Sequence, residues 1–192
     1  MNKKSKVLLI SLMLGINYIL NSNVFAANLF LGGKLERGVG KMYYYVDSSA
    51  NVYTTVINNS INNWIDTGYG WNPIYMYPVA SNYATDVDFY ARYGDEISSS
   101  ILAQTSFYNT NEVAVSPYTS NWFFAKVEIN SSTINNYSST KQQGTITHEI
   151  GHAFGLNHQN NNINSIMCQT GYGRAVERVD QISHNAINTL YN

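Results

Sequence analysis

Apolar residues recur along the chain in two rhythms, and the switches between them divide it into strands and helices. Positions 42–46 form a run of aromatic and β-branched residues, the composition of a strand. Over 51–65, Val52, Val56, Ile57, Ile61, Trp64 and Ile65 return near every third or fourth position, which predicts an amphipathic helix. Gly68, Gly70 and Pro73 punctuate a loop. Strands are predicted over 74–79 and 86–92, the second alternating through Val87, Phe89 and Ala91. The polar stretch 98–120 carries one short strand near 101–105, and another strand follows over 122–129. Ser139 or Thr140 opens a second helix, with Gln142 or Gln143 three residues on in a capping-box pattern. Asp180 caps a last helix whose apolar stripe is Ile182, Ala186, Ile187 and Leu190. This order predicts an α+β fold, a mixed twisted sheet of about five strands with three main helices packed on it.

The first residues follow a different logic. Lys3, Lys4 and Lys6 precede a mostly apolar run over 7–20, and Val24-Phe25-Ala26 ends it with a small-residue site. That is the anatomy of an export signal over 1–26, cleaved after Ala26 or Ala27. The run is short for a membrane span and is broken by Ser11, Gly15 and Asn17, so no stable membrane anchor is expected. Residues 27–192 then form one exported, extracellular domain. The net charge of −1 and the absence of a basic cluster after the signal argue against nucleic acid as a partner. Cys168 is the only cysteine, so packing and bound metal must hold the domain without an internal disulfide. The abundant tyrosines fit a half-buried sheet surface. A monomer is the default expectation.

Candidate chemistry is concentrated at 148–158, HEIGHAFGLNH, which holds three of the chain's four histidines. His148 and His152 are four apart, one turn above each other on one helix face, so both imidazoles reach a single ion. Glu149 stands about 100° round the helix and flanks that ion, where a general base for a water belongs. Gly155 can take a positive φ and end the helix, and His158 then supplies a third nitrogen. Three imidazoles leave one position open on a single zinc, the arrangement of a catalytic site.

With Ser165-Ile166-Met167 downstream, this stretch resembles the metzincin superfamily of zinc endopeptidases, whose signature is HExxHxxGxxH followed by a Met-bearing turn. Residues 42–65, 85–89 and 180–191 are similar to the first strand and long helix, third strand and C-terminal helix of its matrixin-like branch. The resemblance implies a metzincin-like sheet with the active-site helix at the cleft and Met167 as an apolar floor beneath the metal. It also implies cleavage of internal bonds in a protein or peptide substrate, paired along an edge strand.

Several positions depart from the pattern. Gln159 follows the third histidine where matrixins usually carry Ser, and no Tyr stands two residues after Met167. Tyr172 is instead the candidate for the pocket wall. The absence of histidines around 94–105 argues against a second, structural zinc. Asp86, Asp88, Asp95 and Glu96 offer the hard oxygens a calcium (Ca2+) takes, against the preferred reading as a solvated strand edge and turn. The segment 28–41 is too short for an inhibitory pro-domain, and Cys168 reads as a buried inert thiol. Two other functions fit the residues: a zinc amidase or deacylase acting on non-peptide amides, and a secreted binding protein stabilised by zinc.

Overall fold

The computed structural model describes residues 29–192, and the export segment expected over 1–26 lies outside them. Five strands form one sheet in the order β2-β1-β3-β5-β4, with β1 Met42–Val46, β2 Met76–Pro78, β3 Val87–Arg92, β4 Ala103–Tyr108 and β5 Phe124–Asn130. The first four in that order run parallel, and β4 lies antiparallel to β5 at the edge. The helices are α1 Thr54–Ile65, α2 Ser131–Ile134, α3 Ser139–Phe154 and α4 Gln181–Tyr191. This is the expected α+β, metzincin-like architecture with three main helices. Among the described residues no helix is long and apolar enough to cross a membrane.

Alternation along the strands sets the layers. Val87, Phe89 and Ala91 of β3 and Ala125, Val127 and Ile129 of β5 are buried, and the core they join takes in Ile57, Ile61 and Trp64 of α1 and Ile146 and Ile150 of α3. The other face is aromatic and basic: Lys126 lies 4.7 Å from the Tyr108 ring and Arg92 5.2 Å from that of Tyr90.

The helix that carries the histidines is tied to the fold by side chains from three other segments. Trp64 donates its indole N–H to the Thr147 carbonyl at 2.8 Å. The last turn of a helix leaves its carbonyls without intrahelical partners. Here Trp122 Nε1 bonds the Ala153 carbonyl at 3.0 Å and the Tyr191 hydroxyl bonds that of Phe154 at 2.6 Å. Gly155, at φ 109°, closes on the Gly151 and His152 carbonyls. Its own carbonyl accepts from Leu31, so the segment entering the fold is stitched to the end of α3.

Several boundaries differ from those expected. Residues 48–53 form a 3₁₀ turn capped by Asp47, α1 begins only at Thr54, and Val52 is exposed rather than part of the apolar stripe. The strand expected over 74–79 shrinks to three residues containing Pro78, which has no N–H to give a ladder. The strand near 101–105 lies further on, at Ala103–Tyr108. Helix α3 is capped by Ser138, whose side chain accepts from the Lys141 N–H, so no capping box from Ser139 or Thr140 forms. Ile182 is exposed, while Ala186 and Ile187 carry the buried stripe of α4.

Candidate metal centre and cleft

Helix α3 presents His148 and His152 one turn apart, and the left-handed turn at Gly155 brings His158 back toward them. The Nε2 atom of His152 lies 3.1 Å from that of His148 and 3.0 Å from that of His158. Two nitrogens of a tetrahedral zinc, each about 2.0–2.1 Å from the ion, stand about 3.3 Å apart. The three rings are therefore spaced as ligands of one ion, and they are the group among the described residues that can hold one.

The far side of two rings settles their tautomers. His148 Nδ1 lies 2.8 Å from the Ile166 carbonyl and His152 Nδ1 2.8 Å from that of Leu156. A carbonyl only accepts, so each Nδ1 carries the proton and each Nε2 turns a lone pair inward. Converging lone pairs repel unless a cation lies between them. Burial favours the neutral rings as well, pushing His148 well below its ordinary pKa and His152 and His158 down to about 4.

Glu149 lies on the same helix and faces the edge strand. The Thr105 hydroxyl of β4 is 2.8 Å from Glu149 Oε2 and 3.0 Å from the Glu149 carbonyl, with one proton to donate between them. Burial raises the Glu149 carboxyl to about 7, against the opposing pull of Thr105 and of the Arg174 charge. A divalent cation nearby would also favour the ionised form.

Met167 is buried beneath this helix, with its sulfur packed on Gly151. A Cβ at Gly151 would collide with that sulfur and come within 3.0 Å of the Trp64 ring, which accounts for the glycine between the two helical histidines. The Met turn is tied to the third histidine's loop by Gln159 N–H donating to the Met167 carbonyl at 2.9 Å. Tyr172 sits on the 3₁₀ turn Thr170–Tyr172 and borders the same cleft as the histidines, with its ring largely exposed. Cys168 is buried and its pKa is raised by burial, as expected of an inert thiol.

Three of the four carboxylates considered for calcium are otherwise engaged. Asp86 accepts from Arg37 at 2.9 Å and from the Tyr43 N–H at 2.7 Å, Asp88 accepts from the Thr85 hydroxyl at 2.6 Å, and Glu96 accepts from the Tyr93 N–H. They form no group within reach of one ion among the described residues, and a calcium site there is unsupported.

Three residues of the site were not anticipated: Thr105, Arg174 and, beyond its role as a cap, Asp180. Asp180 Oδ1 caps α4 through Ile182 and Ser183, while Oδ2 accepts the Ile166 N–H at 2.8 Å. Ile166 in turn offers its carbonyl to His148, so one carboxylate holds both the last helix and the partner of a metal-facing ring. The cleft itself encloses about 440 Å3 and runs between α3, the edge strand β4 and the 169–174 segment.

Fold and site together define an α+β metalloenzyme with a three-histidine centre in an edge-strand cleft. A family model described as a dual-action HEIGH metallo-peptidase (Peptidase_M57) matches residues 81–184, more than half of the 192-residue chain. The chain belongs to this family, and it is a zinc metallopeptidase; the family's HEIGH is His148 to His152 as they stand here. A comparison with curated proteins found no match.

Proposed function

We propose that the chain is an exported, matrixin-like endopeptidase that cleaves internal bonds of extended protein or peptide substrates, with Glu149 as general base and His148, His152 and His158 as the zinc ligands. The observation that carries this reading is the placement of Glu149 between the converging imidazoles and the edge strand β4. In an antiparallel ladder backbone groups alternate between partner and open side. Leu102 bonds Asn130, and the residue pairs that follow in register leave the N–H and C=O of Ala103 and Thr105 facing the cleft. A substrate strand laid there meets backbone donors and acceptors whatever its sequence.

A zinc ion held by the three histidines would supply Lewis acidity toward the scissile carbonyl and the attacking water. Glu149 accepts the proton of that water, holds it at Oε2 or Oε1, and returns it to the departing nitrogen. Thr105 keeps the carboxylate turned toward the cleft. His148 and His152 are held in register by the Ile166 and Leu156 carbonyls.

The test is cleavage of unfolded casein by zinc-loaded residues 27–192, with and without chelator, beside Glu149→Ala. Cleavage that chelator stops, and that the mutant lacks while still binding zinc, is the expected result. A folded, zinc-loaded protein that leaves casein and short peptides intact but hydrolyses a non-peptide amide would replace the endopeptidase reading.

A further inference from the structure

One wall of the cleft contains a buried guanidinium that the scheme above does not use. Arg174 follows the Thr170–Tyr172 turn and lines the cleft, with its side chain 1% exposed. Three contacts hold it: Nη2 to Glu177 at 3.1 Å, Nη2 to the Thr145 hydroxyl at 3.5 Å, and Nη1 to the Cys168 carbonyl at 3.4 Å. Two of the three are at the long limit, and the buried Nε has no partner. A guanidinium has five N–H donors. Part of this one's capacity is therefore unused in the wall of the cleft.

The surrounding charge is also unbalanced. Glu177 is the carboxylate that Arg174 contacts, and its other oxygen is taken by Lys141 at 2.6 Å. Two cations thus share one anion. Among the residues lining the cleft, Arg174 is the only permanent cation and Glu149 the only carboxylate. Thr145, which Arg174 touches, precedes Glu149 by four residues, about 6 Å along the α3 axis. Arg174 and Glu149 line the same cleft, and the guanidinium charge acts on the Glu149 carboxyl.

We propose that Arg174 makes this end of the cleft a subsite for a carboxylate, so that peptides carrying Glu or Asp, or a free C-terminal carboxylate, beside the scissile bond are selected over neutral ones. The cleavage part of this inference rests on the endopeptidase reading; the binding part does not. A planar guanidinium is suited to a carboxylate because two N–H groups can meet two oxygens. The opposing view makes Arg174 only a strut that ties the 168–177 segment to α3.

The experiment presents the zinc-loaded chain with peptides matched except for Glu or Gln at the positions flanking the scissile bond, each with a free or an amidated C-terminus. Cleavage is followed as kcat/KM, and binding of the same peptides to Glu149→Ala is followed by fluorescence anisotropy. Glu should be favoured over Gln by about tenfold or more in both, the scale of a hydrogen bond to a charged group. A difference between free and amidated ends, with Glu and Gln equal, assigns the subsite to the terminal carboxylate instead. Arg174→Gln should abolish the preference and Arg174→Lys retain part of it. Equal handling of Glu and Gln, and of free and amidated ends, by the wild-type chain would overturn the proposal, whether or not the variants fold. Preferred binding without cleavage would sink the endopeptidase reading and keep the subsite. Cleavage without preference would do the reverse.

Discussion

Glu149 is a carboxylate in a place that disfavours its charge, and the Thr105 hydroxyl is what counters the burial most directly. Thr105→Val removes that donor at nearly constant volume. The Glu149 carboxyl, already raised to about 7, should then rise further, because the lost bond stabilised only the ionised form. A base must be ionised to act, so the acid limb of kcat/KM should move up by about one pH unit while the alkaline plateau is kept. A pH–rate profile decides this: an unmoved limb under a lowered plateau would mean that Thr105 orients the carboxylate without tuning it. Thr105 also marks the boundary of what could be read from the chain. The three histidines and Glu149 were legible because one helix and one turn fix their spacing, and that spacing is local. Thr105 is 44 residues from Glu149, and Arg174 is 29 from Thr145. Nothing in their own neighbourhoods distinguishes them from any other Thr or Arg.

Elements, like residues, were legible where one periodic signal dominated. The glycine stop of α3 and the Asp180 cap of α4 are where their chemistry put them. The cap of α3 moved to Ser138 because Ser138, Ser139 and Thr140 all offer a capping oxygen, and only tertiary packing selects among them. The four-residue α2 is too short to show a period at all, and the strand expected over 74–79 is cut by Pro78 to the three-residue β2. Asp180 offers a test at this scale, since its two oxygens serve two elements. Asp180→Ala should cost about 1 kcal/mol from the lost cap, with a further ~1–3 kcal/mol from the buried Ile166 N–H left unpaired. It should also weaken zinc binding by about 10–100-fold, the usual effect of losing a group that orients a ligand's partner. Asp180→Asn separates the two roles: its carbonyl oxygen can still cap α4, but its amide nitrogen cannot accept from Ile166. Chemical denaturation should find the Asn variant more stable than the Ala variant by only the cap, about 1 kcal/mol, because the Ile166 N–H is left unpaired in both. A zinc competition titration should find it close to the Ala variant, and wild-type zinc affinity in both would refute the coupling.

At the scale of the whole molecule, buried titratable groups pull stability in opposite directions with pH. His148, His152 and His158 titrate below their ordinary value, so between about pH 4 and 6.5 the unfolded chain binds more protons than the folded one. Their contribution therefore strengthens as pH rises through that window and is lost as it falls. Asp88 does the opposite. It is 2% exposed on β3, and burial raises its carboxyl to about 6 despite the Thr85 hydroxyl and the more distant Lys126 charge. A carboxyl raised in the folded state binds the proton more tightly there, so its contribution declines as pH climbs from about 4 to 6. The shift corresponds to about 3 kcal/mol lost by pH 7. Asp88→Asn keeps an oxygen for Thr85 and removes the ionisation. With chelator present, to isolate the metal-free fold, denaturant unfolding should show the variant equal to wild type near pH 4 and more stable near pH 7. Its decline on acidification should accordingly be steeper, because the three histidines then act unopposed. A stability difference that stays constant between the two pH values would mean that Asp88 is already ionised at pH 4, with Thr85 and its other surroundings outweighing burial.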